Sequence, residues 1–171
     1  MPALNSPSSK RSRLLAATVL CLLPFSGSAA PLRHKPAPSF VRTDLQGKQV
    51  DLTALKGRVV LLTFWATWCQ PCQAEMPRFI GWQSHYGPSG LQIVGVSMDD
   101  DEAPVRAMAQ ERGINYSVLM GDATLARSYG GVLGLPVTFL IDRKGRIVAR
   151  FKGEADLGAL ERAIKRQIDT R

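Results

Sequence analysis

The sequence predicts an α/β domain, a mixed central sheet flanked by helices that reads βαβ and then ββα. Three observations carry this. The apolar run Val59–Trp65 leads straight into a helix-like pattern. A second apolar run, Leu91–Ser97, is followed by another helical pattern. Towards the end, two strand-like runs flank Arg143-Lys144-Gly145, and an amphipathic pattern closes the chain.

In chain order, residues 40–45 and 46–52 read as a small hairpin turning at Gln46-Gly47, and residues 53–57 as a short turn. Val59–Trp65 is apolar except for Thr63 and reads as the central strand. Helical periodicity follows. With about 100° per residue and Cys72 as zero, Met76, Phe79, Ile80, Trp82 and Tyr86 fall within roughly 80° of it. Arg78, Gly81, Ser84 and His85 fall on the other side. Residues 99–113 read as a helix with Val105, Met108 and Ala109 inward, and residues 116–119 as a short strand. Asp122 is placed to cap a helix running to Tyr129. Residues 137–142 and 146–151 form the second hairpin, and 156–168 a helix with Leu157, Leu160 and Ile164 facing in.

With 171 residues, 45% of them hydrophobic and 21% charged, the chain supports one globular domain and a short extension. The formal charge is +8. No Lys/Arg block or interleaved aromatic stripe marks a nucleic-acid interface, so the excess reads as a solvated basic face.

The first residues have a different grammar. Lys10, Arg11 and Arg13 precede an apolar run from Leu14 to Phe25, and small residues follow to Ala30. That is a secretory signal over residues 1–29, cut after Ala29, or an uncleaved anchor holding the protein at the membrane through its N-terminus. Either places the domain in the periplasm or cell envelope. Cys21, inside the apolar run and after Leu20, is not placed for lipid attachment. Residues 30–38, with Pro31, Pro36 and Pro38, read as a flexible linker, and residues 39–171 as the domain.

Without the signal, Cys69 and Cys72 are the only cysteines. They stand in Trp68-Cys69-Gln70-Pro71-Cys72, between the strand and the helix. Two cysteines three apart in a first helical turn can close a disulfide with little backbone movement. A helix N-terminus favours the thiolate, the attacking species. Cys69 is therefore expected as the exposed nucleophile and Cys72 as the more buried resolving thiol. Pro71 costs no hydrogen bond in a first turn, and Gln70 brings no charge. Zinc would want four ligands, and beyond the pair the chain offers only Cys21, His34 and His85, none with partner spacing.

Glu75 lies inside the apolar arc, one turn below Cys72. Periodicity leaves two outcomes open: a desolvated carboxylate within reach of the inner thiol, or an acid snorkelling to solvent. The run Asp99-Asp100-Asp101-Glu102 is read as a cap and dipole complement rather than a metal site.

Residues 64–77 (Phe64 to Pro77), 94–99 (Val94 to Asp99) and 134–142 (Gly134 to Asp142) come in the order found in the thioredoxin superfamily. Over residues 38–170 the chain resembles its TlpA/ResA-like thiol-disulfide oxidoreductases. The resemblance implies a thioredoxin-like fold with four helices, an N-terminal hairpin and an inserted βα unit around residues 91–113. It implies that Cys69 attacks, Cys72 resolves and Glu75 is a buried acid moving protons at the dithiol. Pro136 matches a cis-proline facing the dithiol, which would turn the Leu135 backbone towards a substrate strand. Trp68, Gln70 and Pro71, with Leu135 and Pro136, are expected to meet the substrate.

Thr63 stands where cytosolic thioredoxins carry a buried aspartate, leaving Glu75 as its substitute. Val137 departs from the family's threonine, and Gln70 does not fix redox direction. No cofactor is implied beyond the Cys69–Cys72 pair, and no metal. The implied partners are disulfide-containing or dithiol client proteins, as in cytochrome c or metalloenzyme maturation, and a thiol-reducing membrane electron donor. Alternatives are an oxidant or isomerase of the same fold, or a copper-binding metallochaperone, which would want a histidine near Pro136.

Overall fold

Strand β3 (Val59–Trp65) is buried at every position, because it lies at the centre of a five-stranded sheet ordered β5-β4-β3-β6-β7. The computed structural model describes residues 35–170. The expected signal, its cleavage point, Cys21 and His34 lie outside these residues. Before β3 come the hairpin strands β1 (Val41–Thr43) and β2 (Gln49–Asp51) and a single 3₁₀ turn, Thr53–Leu55. After it come helix α1 (Gln70–Tyr86), β4 (Leu91–Ser97), α2 (Glu102–Glu111), β5 (Ser117–Met120) and α3 (Ala123–Ser128). Strands β6 (Val137–Ile141) and β7 (Ile147–Lys152) and helix α4 (Leu157–Asp169) complete the fold. Strands β3, β4 and β5 are parallel, while β6 runs antiparallel to β3 and β7 to β6. Residues 91–113, expected as an inserted βα unit, form β4, the inner strand beside β3, and α2, after which the edge strand β5 follows.

The period of two along β3 assigns its side chains to two cores. Val59, Leu61 and Trp65 face a layer built from α1, α2 and α4, with Phe79, Trp82, Val105, Leu160 and Ile164. Val60, Leu62 and Phe64 face a second layer with α3 and the hairpin, including Phe40, Val50, Leu125 and Tyr129. Each fully buried Leu, Ile or Phe contributes about 1.5–3 kcal/mol of apolar transfer. The arc predicted for α1 is the buried one: Cys72, Glu75, Met76, Phe79, Trp82 and Tyr86 are buried and Ile80 packs against them. The helix continues through Pro77.

Both hairpins turn on an aspartate and a left-handed glycine. Asp44 Oδ1 accepts the N–H groups of Gln46 and Lys48, with Gly47 at φ 81°. Asp142 Oδ1 does the same for Lys144 and Arg146, with Gly145 at φ 76°.

Two expectations need correction. Helix α2 starts at Glu102, not at Asp99, and its N-cap Asp101 makes no side-chain capping bond. Asp99 is drawn instead to the turn after β3, where its carboxylate meets hydrogen-bond donors. The end of the proline-rich segment is not a free linker either. Pro36 bridges Arg146, the N–H of Ala37 donates to the Gly145 carbonyl, and Lys35 accepts from Ile147. Tyr129 Oη donates to Pro38 O at 2.8 Å. Prolines lack only their own N–H, so their carbonyls and neighbours can still pair with a sheet edge.

Candidate active site

Where β3 ends, the chain turns through residues 66–68 and enters α1 with Cys69 as the N-cap, in extended conformation. Gln70 and Pro71 occupy the first turn, where proline's missing N–H has no acceptor to lose. Cys69 and Cys72 form a disulfide, S–S 2.00 Å with Cα atoms 5.3 Å apart. Cys69 Sγ also accepts the N–H of Cys72 at 3.3 Å. The sulfur thus sits where the helix presents its unpaired donors and positive dipole end.

The exposures hold one correction. Cys69 is 5% exposed and Cys72 3%, so both sulfurs are buried and Cys69 is not the exposed group expected. Bonded to Cys72 and facing its N–H, the sulfur is folded against the helix start. The exposed neighbour is Trp68, at 69%, and Gln70 and Pro71 are exposed beside it.

Glu75 does not snorkel; it is 2% exposed. Its Oε1 accepts the Ala155 N–H at 2.9 Å, and its Oε2 is buried without a partner. It walls a small cavity with Thr63, Trp65, Cys72, Met76, Phe79 and Tyr116. Burial pushes the carboxyl above the ordinary glutamate range, against the Ala155 bond, which lowers it, and Glu154 adds a smaller upward push. Burial also raises the Tyr116 phenol, and the nearby Glu75 charge adds to that. Thr63 is satisfied by Thr138, Oγ1 to Oγ1 at 2.9 Å.

The Leu135–Pro136 peptide bond is cis. Val137 pairs with Phe64, so residues 135–136 lie at the end of the sheet where β3 delivers the dithiol. Leu135 packs on the core layer that contains Cys69 and Cys72. Beside it a groove of about 200 Å³ is lined by Leu133, Leu135, Val137, Arg150 and Lys152, and Leu133 is fully exposed. Its exposure has no signal in the sequence. Among the described residues no three His, Cys, Asp or Glu side chains cluster as a metal site. Sequence reading also missed Asp99, Thr67 and Gln73, which fix the turn before Cys69.

The pattern of the AhpC/TSA family matches residues 34–150. The chain belongs to this family. It is 35% identical over 133 residues to the thiol-disulfide oxidoreductase ResA of Bacillus thuringiensis subsp. konkukian (strain 97-27), covering 77% of this chain and 76% of that protein. With the protein of the same name from Bacillus subtilis (strain 168) it shares 34% over 124 residues, 72% and 69% of the two chains. Among solved structures, a thiol:disulfide interchange protein of the thioredoxin family from Chlorobium tepidum TLS superposes with a TM-score of 0.74 at 30% identity. That match covers 80% of this chain and 97% of the other. This AhpC/TSA-family member is a ResA-like thiol-disulfide oxidoreductase with a thioredoxin-like fold. Its substrates are disulfide-bearing partners.

Proposed function

We propose that this oxidoreductase acts in the cell envelope as a reductant of partner-protein disulfides, with Cys69 as the attacking sulfur. The observation that carries this reading is the Cys69–Cys72 disulfide at the N-terminus of α1, its outer sulfur on the Cys72 N–H. In the reduced protein that N–H and the helix dipole favour a Cys69 thiolate. The thiolate attacks one sulfur of the client disulfide, and the other client sulfur leaves and takes up a proton. Cys72 gives its proton to the Glu75 carboxylate, and its thiolate attacks Cys69 Sγ. The client's second sulfur departs, Cys69–Cys72 closes, and two electrons have passed to the client.

Glu75 suits this task because burial makes its carboxylate a better proton acceptor than an exposed glutamate. Trp68, Gln70 and Pro71 form the rim the client meets, and the Leu135–Pro136 backbone its second wall. The envelope setting rests on the basic and apolar pattern of residues 10–30. A thiol-reducing membrane protein returns the electrons, and a precursor in cytochrome c or metalloenzyme maturation is the client class that the family resemblance favours.

Equilibration with a glutathione or dithiothreitol couple tests the direction. A reductant predicts a potential near thioredoxin's, about −270 mV, with catalysis of insulin reduction. A value near about −120 mV, as in DsbA, would overturn it in favour of an oxidant.

A further inference from the structure

Asp99 stands just beyond the end of β4, where Ser97 pairs with Trp65 at the end of β3. The two strand ends are tied once more by Met98 N–H donating to Trp65 O at 2.8 Å. From there the Asp99 carboxylate reaches across to the turn that carries the dithiol. Oδ2 accepts the Thr67 N–H at 2.9 Å, and Oδ1 accepts Thr67 Oγ1–H at 2.5 Å. Ser97 Oγ–H donates to Oδ2 at 2.7 Å. The Thr67 carbonyl is held from the opposite side, by Gln73 Nε2 at 2.6 Å, and Gln73 Oε1 accepts from Arg112 at 3.1 Å. Both polar groups of the Thr67 backbone are thus fixed by different elements, two residues before Cys69. Within the turn, Cys69 N–H donates to Ala66 O at 3.1 Å.

An acid in this position is costly unless it does something the fold needs. A carboxylate bonded to the turn before a thiolate opposes ionisation of the sulfur, and Asp99 is not used as a helix cap. Its donors are all on the turn and the strand end.

We propose that Asp99 is a positioning residue for Cys69, holding the turn at residues 66–68 so that the sulfur meets the Cys72 N–H when the pair is reduced. The inference rests on the reading of Cys69 as the attacking sulfur. With the turn released, Trp68 and Cys69 sample conformations in which the thiolate lacks its donor, and attack slows although the fold persists. The charged groups around the turn are Asp99 beyond β4, Arg112 after α2 and Glu75 on α1. Removing the Asp99 charge alone would speed ionisation of the sulfur, so bonding and charge predict opposite signs.

The test uses the reduced protein and its Asp99→Ala, Asp99→Asn and Thr67→Val variants. Iodoacetamide alkylation is followed at pH 7, the modified sulfur is mapped, and far-UV circular dichroism with a thermal midpoint checks folding. Asp99→Ala is expected to slow Cys69 alkylation about tenfold, the weight of one hydrogen bond to a charged group. Asp99→Asn, which keeps an acceptor for the Thr67 N–H, should stay within about threefold of the parent rate, and Thr67→Val should fall between. Folded Ala and Val variants that react at the parent rate would overturn the proposal, leaving Asp99 a brace for the fold alone. An Ala variant faster than the parent would also overturn it, assigning the effect to charge, and so would an Asn variant as slow as the Ala variant, since the retained acceptor would then not be what holds the sulfur. If Asp99→Ala does not fold, Thr67→Val decides. Should Cys72 be alkylated before Cys69 in the parent protein, the order of attack fails first, independently of Asp99.

Discussion

Glu75 and Cys72 wall the same small cavity, and the carboxylate has one partner there, the Ala155 N–H at 2.9 Å, while Oε2 has none. Strand β3 supplies Thr63 and Trp65 to the same wall. An acid is therefore stored, half-satisfied, in a cavity that Cys72 also lines. Burial favours its neutral form, and that preference makes it a proton acceptor poised above the usual carboxylate range.

The raised pKa has a stability consequence with a definite sign. The folded protein holds the Glu75 proton to higher pH than the unfolded chain does, so its contribution is fully present below the unfolded pKa. It is lost as pH rises through the folded pKa, at about 1.4 kcal/mol for each unit of separation. Urea unfolding of the parent and Glu75→Gln across pH 3–9 checks this. The parent should lose stability relative to the variant over that window, and parallel curves would contradict it.

Glu75→Gln should leave the first attack nearly unchanged and slow the resolving step. At pH 7 only a few per cent of a thiol with a pKa of about 8.5 is ionised, so losing the base is worth about ten- to thirtyfold. Stopped-flow decay of a preformed mixed disulfide measures it. The deficit should shrink as pH passes the thiol's own pKa.

Thr63 and Thr138 satisfy one another in a buried pair. Thr63→Val leaves the Thr138 hydroxyl unpaired and should cost about 1–3 kcal/mol, whereas the double Val variant should recover most of that. Denaturant titration of the four members of the cycle reads the coupling.

Gly95 is the floor against which Trp65 lies. A Cβ there would stand 2.9 Å from Trp65 Nε1 and 3.3 Å from Tyr116 Cε2. Gly95→Ala should destabilise by about 1–3 kcal/mol and displace the indole that walls the Glu75 cavity. A lowered thermal midpoint with altered tryptophan fluorescence is the expected result.

Much of this arrangement is legible in the chain because period and spacing carry it. The arc of α1, the place of β3 as the central strand and the juxtaposition of Cys69 with Cys72 all follow from residues near in sequence. What stayed hidden depends on contacts across the fold. Periodicity placed Glu75 on the apolar arc, but its burial depends on Ala155, 80 residues away. Asp99 looked like one more acid at a helix start, since nothing local reveals that Thr67, 32 residues earlier, would claim it. Residues 35–38 have a linker's composition, and only the β6–β7 hairpin turns them into a pinned segment. The burial of Cys69 has no local signal, since spacing permits the disulfide but does not orient it.

The most direct measurement is a trap. Purified Cys72→Ala protein, reduced and offered disulfide-bearing envelope proteins, should accumulate a mixed disulfide through Cys69 that dithiothreitol releases, while Cys69→Ala should hold none. Equal capture by the two variants, or none by Cys72→Ala, would contradict attack by the outer sulfur and the account built on it.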